Sequence, residues 1–266
     1  MKKNNTFKGL GPKETGFVAR LSYEKKTIVS VDEIDSFLPS NYKYRKQFVY
    51  NLKQKKILTP IKRGFYIFTP IESVRSGVRV NELIIPSVFF PRKNYYIGYS
   101  TMFNYYGFID QLFQTVYVIN TSLSKERTVC GVSYKFLEVP KNRMYGVETI
   151  KVQGSDVLVS SRERTLVDMI FFNKPVGGIN SAIGILKKEI EKGSCNINKL
   201  IEYASLFPNV TVRKQIGVVL ESMGIDSSTL RSLIKSVEKT SLSSLTGSRR
   251  GTLNKTWRVI VNDSQK

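Results

Sequence analysis

Two sets of side chains have types and spacings suited to chemistry. The first is basic: Lys43, Arg45, Lys46, Gln47, Tyr50 and Lys53, preceded by Asn41 and followed by Lys62 and Arg63. Between Ser36 and Ile71 stand eight Lys and Arg and no Asp or Glu. Cations at that density neutralise phosphates, while Gln can pair with adenine and Lys with guanine in a major groove. The second set is acidic. Asp156, Glu163 and Asp168 are residues through which a nuclease would hold magnesium. No second acidic cluster and no conventional metal-ligand spacing accompanies them. Their plainer reading is a helix-capping Glu163, an ion-paired Arg164 and a polar helix face. The chain has no histidine, which removes the usual catalytic base, the imidazole triads and most zinc sites. No catalytic residue, metal ligand or cofactor is therefore assigned.

The elements that carry the basic set follow from periodicity. A helix is expected over residues 12–23, with Phe17, Val18 and Leu21 inward. Ser30 and Glu33 form a capping box that starts a second helix through Leu38. Pro39, Ser40 and Asn41 make a turn, and Ser40 or Asn41 caps a third helix over residues 42–54. That helix turns Tyr44, Phe48 and Leu52 inward, and Lys43, Lys46, Gln47, Tyr50 and Gln54 outward. A hairpin follows over residues 60–68, with Gly64 supplying a positive φ at its tip and Lys62 and Arg63 beside it to clamp phosphates. A basic helix braced by another helix and followed by a basic-tipped hairpin is the sequence pattern of a winged helix-turn-helix that meets duplex DNA.

At 266 residues and 41% hydrophobic, the chain has room for two domains and ample core. The net charge of +21 points to a polyanionic partner. Residues 1–70 hold +10 of it, more than twice the density of the remainder. The expected architecture is α+β. A winged helix-turn-helix domain over residues 1–70, with a basic arm over 1–8, is followed by a linker over 71–81. A larger mixed α/β domain over 82–266 has a small, largely antiparallel sheet and several helices. Strands are expected at 114–120, 132–139, 157–159 and 254–262, and helices at 101–106, 163–172, 180–192, 197–207, 211–223 and 230–237. Arg249, Arg250 and Lys255 read equally as a second DNA contact and as a solvated basic surface. The aromatic run Tyr95, Tyr96, Tyr99, Phe103, Tyr105 and Tyr106 reads as packing ahead of base stacking on RNA. Cys130 and Cys195 lie far apart, as suits a reducing cytoplasm, and no apolar run approaches a membrane span.

Several short blocks together resemble the AbiEi antitoxins of bacterial abortive-infection toxin–antitoxin systems. They are Arg63-Gly64-x-Tyr66, Tyr96-Ile-Gly-Tyr-Ser100, Tyr106-Gly-Phe-x-x-Gln111, Ser161-x-Glu163-Arg-Thr-Leu-Val-Asp168, Gly177-Gly178 and Trp257-Arg-Val-x-Val-Asn262. Tyr106 stands where relatives often carry His, which argues against a catalytic role for that block. The resemblance implies a cytoplasmic, non-enzymatic type IV antitoxin involved in phage defence. Its winged helix would bind inverted repeats in its own promoter and repress the operon, a monomer in solution pairing cooperatively on DNA. Its C-terminal domain would counteract an AbiEii-like nucleotidyltransferase toxin without a stable complex.

Overall fold

The computed structural model describes residues 9–38, 42–76, 81–111, 113–246 and 251–261. The basic arm over 1–8, the turn at Pro39, Ser40 and Asn41, the pair Arg249 and Arg250, and Asn262 lie outside the described residues. The protein is α+β, and it falls into two compact units. Unit 1 holds the chain through Arg92 together with Arg127–Ser133 and Lys151–Val157; unit 2 holds Lys93–Glu126, Tyr134–Ile150 and Leu158–Lys266. The division thus falls beyond the expected linker. Within residues 71–81 the structure has a short helix, and residues 77–80 are outside the described set.

Unit 1 begins α1 (Pro12–Tyr23), β1 (Ile28–Ser30), α2 (Val31–Phe37), α3 (Tyr42–Gln54), β2 (Leu58–Lys62) and β3 (Phe65–Phe68). The helices α4 (Ile71–Ser76) and α5 (Pro86–Phe89) follow. The Ser30 capping box forms as its sequence requires. Ser30 Oγ accepts from Glu33 N at 3.2 Å, and Ser30 N donates to the Glu33 carboxylate at 2.8 Å. Strand order β1-β3-β2 makes a three-stranded antiparallel sheet, closed over one core that includes Phe17, Leu21, Ile34, Phe48, Leu52 and Phe68.

A six-stranded sheet is formed by β4 (Tyr95–Gly98), β5 (Thr115–Asn120), β6 (Lys125–Val129), β7 (Val132–Glu138), β8 (Val147–Val152) and β9 (Ser155–Ser160), in the order β6-β7-β5-β4-β9-β8. Strands β4 and β5 lie wholly in unit 2, and the ends of β6, β7, β8 and β9 within Arg127–Ser133 and Lys151–Val157 belong to unit 1. A short helix, α6 (Ser100–Tyr105), leaves the end of β4. The sheet is larger than expected, and its centre is mixed, since β4 runs antiparallel to β5 and parallel to β9. Strands β6 and β8 escape the sequence pattern because they are edges. Strand β6 is almost wholly exposed and polar, and in β8 the partly buried Val147, Ile150 and Val152 do not alternate strictly with polar residues, so no period-two pattern marks either.

The helical part comprises α7 (Arg162–Phe171), α8 (Ile179–Glu191), α9 (Ile197–Leu206), α10 (Val210–Ser222) and α11 (Ser227–Lys235). Instead of one closing strand there are three short ones: β10 (Ser243–Ser244), β11 (Thr252–Asn254) and β12 (Val259–Val261), in the order β10-β12-β11. The cap of α7 is Ser161, whose side chain accepts from Arg164 N. Trp257, fully buried, lies against α10 at Gly217, where a methyl group would overlap its ring.

The centre of unit 2 is an ion pair without solvent. Arg164 Nε donates to both oxygens of Asp168, at 3.1 and 3.2 Å, and both residues are buried. Arg164 Nη2 also donates to Tyr96 Oη at 3.2 Å, and Tyr145 covers the guanidinium at 4.2 Å. Burial works against the charge of Arg164, but the Asp168 carboxylate overrides it and holds the group above its ordinary range. Removing one member of such a pair strands the other charge in the interior. The expected cost of Asp168→Ala is roughly 3–5 kcal/mol, read as a lowered midpoint in urea unfolding of the whole chain.

Candidate nucleic-acid interface

The basic set of the sequence assembles on α3 and on the turn between β2 and β3. Helix α3 buries Phe48, Val49 and Leu52 against α1, α2 and the strands, so its opposite side is left to solvent. Tyr44 stands at the border of the inward side, 37% exposed with its ring 6.3 Å from that of buried Phe48, and Val49 adds to the buried set. The Lys13 ammonium stands 4.9 Å over the Tyr44 ring. Tyr44 thus lies at the edge where α3 meets α1, a partial exposure that helical spacing alone could not reveal because an aromatic ring can serve either side.

On the outward side Lys43, Lys46, Gln47, Tyr50 and Lys53 are all exposed. Gln47 Nε2 donates to Asn51 Oδ1 at 2.8 Å, which orients its amide along the helix. Among the described residues Lys46, Lys53 and Arg63 make no ion pair. The tip of the hairpin is held by backbone: Val31 N donates to Gly64 O at 2.8 Å, and Gly64 takes φ +83. A left-handed residue there costs glycine nothing, and it leaves Arg63 projecting beside it in solvent.

Three cations of the same stretch are already engaged. Arg45 pairs with Asp35 and so ties α3 to α2. Lys55, which was not singled out in the sequence, pairs with Glu14 of α1 and donates to Gly9 O at 3.1 Å. Lys62 is the clearest departure from expectation. Its Nζ donates to Val88 O at 2.5 Å and lies 4.9 Å from the Phe65 ring and 5.5 Å from that of Phe89. Burial, with Arg127 nearby, lowers the Lys62 ammonium below its ordinary value. It fastens β2 to α5 where a phosphate clamp was expected. The sequence held no signal for this, because Phe89 and Val88 lie far along the chain.

Elsewhere, Asn41, Arg249 and Arg250 lie outside the described residues, and Lys255 is exposed in the turn between β11 and β12. The three carboxylates considered for magnesium do not form a site. Asp156 pairs with Lys151 at 2.6 Å, Glu163 accepts from Asn196 N at 2.9 Å, and Asp168 is held by Arg164. Among the described residues no group of three or more potential ligands could hold a metal ion. Of the central aromatics, Tyr95, Tyr96, Tyr99 and Phe103 are buried and Tyr106 donates to Ser160 O at 2.9 Å, leaving Tyr105 exposed. They pack; they do not form a stacking platform. No helix among the described residues is long and apolar enough to cross a membrane.

No family model matches the chain, and no curated protein matches it. Its fold is similar to the crystal structure of the RV2827C protein from Mycobacterium tuberculosis. The two share 12% identity with a TM-score of 0.65, over 95% of this chain and 92% of that chain. At that identity the likeness is one of fold.

The contacts of Lys62 lead to a plain expectation. Lys62→Ala lowers stability by on the order of 1–2 kcal/mol, from a lost hydrogen bond and two cation–π contacts, as a thermal melt followed by circular dichroism would register. Arg63→Ala leaves the same melt unchanged.

Proposed function

We propose that unit 1 is a winged helix-turn-helix that binds duplex DNA, and that the protein represses its own operon. The observation that carries this reading is the outward side of α3. It presents Lys43, Lys46, Gln47, Tyr50 and Lys53 without an acid, and Arg63 stands at the tip of the β2–β3 hairpin. The element order α1-β1-α2-α3-β2-β3 and the sheet order β1-β3-β2 suit that motif. In this reading α3 enters the major groove and Arg63 meets phosphate or the adjacent minor groove. Gln47 and Lys46 are the side chains suited to base edges. Arg45 positions α3 through Asp35, and Lys62 positions the hairpin through Val88 and Phe89.

The second half of the proposal is an antitoxin role for unit 2. It rests on the resemblance of the motif blocks to AbiEi antitoxins, which implies a nucleotidyltransferase toxin as functional partner without a stable complex. The partners are then inverted repeats in the protein's own promoter, occupied cooperatively by two monomers. Catalysis has no place in this reading.

The test is a titration of the full chain against its own upstream DNA and against a scrambled duplex, at low and moderate salt. Tight two-step binding to the upstream DNA that persists at moderate salt is the expected result. Equal, salt-labile binding to both would leave only a basic surface and end the repressor proposal. Lys46→Ala and Arg63→Ala are each expected to cost roughly 1–3 kcal/mol of affinity with unchanged circular dichroism. Wild-type affinity in both variants would remove α3 and the hairpin from the interface.

A further inference from the structure

The segment Arg127–Ser133, which ends β6 and begins β7, belongs to unit 1. It turns at Cys130 and Gly131, whose φ angles of +52 and +81 suit a two-residue hairpin turn. The tip meets the β2–β3 hairpin, with Cys130 Sγ 3.9 Å from Pro60 O of β2. Next to it the Arg127 guanidinium stands 5.6 Å from the centre of the Phe89 ring, and the Lys62 ammonium stands 5.5 Å from the same ring. One aromatic side chain thus gathers two cations from strands far apart along the chain.

No carboxylate balances them. Arg127 is exposed, and among the described residues it makes no ion pair. Its neighbour Glu126 points to the other face of the strand and pairs with Lys135 at 2.9 Å. The charge that bears on the Lys62 ammonium is that of Arg127, and no acid joins it. The three stretches that meet here, residues 58–68, 85–92 and 127–133, contain four Lys and Arg and no Asp or Glu. Lys62 is half-buried and spends a hydrogen bond on Val88 O, so Arg127 is the cation of the pair that is open to a ligand.

We propose that Arg127 contacts a phosphate of duplex DNA, and that the β6–β7 hairpin is a second arm lying beside the wing on the backbone that flanks the groove entered by α3. The inference rests on the DNA-binding reading of unit 1. A planar, weakly hydrated guanidinium matches a phosphate in a two-pronged contact. A small anion gains little on an exposed cation against water. A polyanion instead meets the summed field of Lys62, Arg63, Arg92 and Arg127. The arm takes the place that the sequence assigned to Lys62. That lysine is turned inward to hold α5, and the ring it shares carries an outward arginine.

The experiment titrates the full chain, as wild type, Arg127→Met and Arg127→Lys, against its own upstream DNA and a scrambled duplex over a series of salt concentrations. Arg127→Met keeps the aliphatic stem over Phe89 and removes the charge. It is expected to weaken binding to both duplexes by the same factor, roughly tenfold. The slope of log affinity against log salt should fall by about one, with an unchanged thermal melt. Arg127→Lys should restore most of the slope. A hydroxyl-radical footprint of the wild type should show protected backbone on the wing side of each half-site, and Arg127→Met should lose that protection alone. Specific binding by the wild type with the same slope and the same footprint in Arg127→Met overturns the second arm and leaves the α3 reading standing. A weaker Arg127→Met complex with a lowered melt and an unchanged slope makes Arg127 a packing residue and overturns it too. Failure of the wild type to bind either duplex ends both readings.

Discussion

The fold of unit 2 depends on one buried cation. A guanidinium removed from water must be met by charge and hydrogen bonds on every side, or the interior cannot close around it. Arg164 is met by Asp168 one turn along α7, by Tyr96 from β4, and by the rings of Tyr145 and Phe207. Those partners come from the sheet, from the turn before β8 and from the end of α9, so satisfying one side chain fixes where several elements can lie. The backbone is shaped to match. Gly146 takes φ +65 next to the stem of Arg164, where a Cβ would come within 2.8 Å of it. Tyr99, which follows β4 and precedes α6, also holds a positive φ with its ring against Tyr117 and Phe172. Such conformations persist only where the surroundings over-determine them.

This arrangement gives the motif blocks a physical meaning. The acidic residues in Ser161-x-Glu163-Arg-Thr-Leu-Val-Asp168 look like chemistry on paper, and in the structure they are joinery. Asp168 serves Arg164, Glu163 holds the start of α9 through Asn196, and Tyr96 of the Tyr-Ile-Gly block completes the same network. Short-range rules read these residues in part: Glu163, Arg164 and Asp168 on one helix already suggested an ion pair. Tyr96, Tyr145 and Phe207 as its other partners were not legible, because their positions along the chain bear no relation to their meeting point.

The same contrast runs through unit 1. Caps, helical spacing and the glycine of the hairpin are local, and α1, α2, α3 and the hairpin lie where those signals put them. Which cations are free is not local. Arg45, Lys55 and Lys62 look alike in sequence to Lys46, Lys53 and Arg63, yet the first three are bound to partners in the fold. A count of basic residues measures the field that draws in a polyanion. The side chains that can touch it are the subset left over when the protein has met its own needs.

The packing of Trp257 on Gly217 has a consequence in time. Helix α10 is made bare at Gly217 to receive a ring encoded forty positions later. During synthesis that helix leaves the ribosome seconds before the residue that covers it. Through that interval the side of α10 at Gly217 has no ring over it on the nascent chain. Unit 2 is therefore at its most vulnerable to chaperone capture and premature proteolysis in the interval between the emergence of Gly217 and that of Trp257.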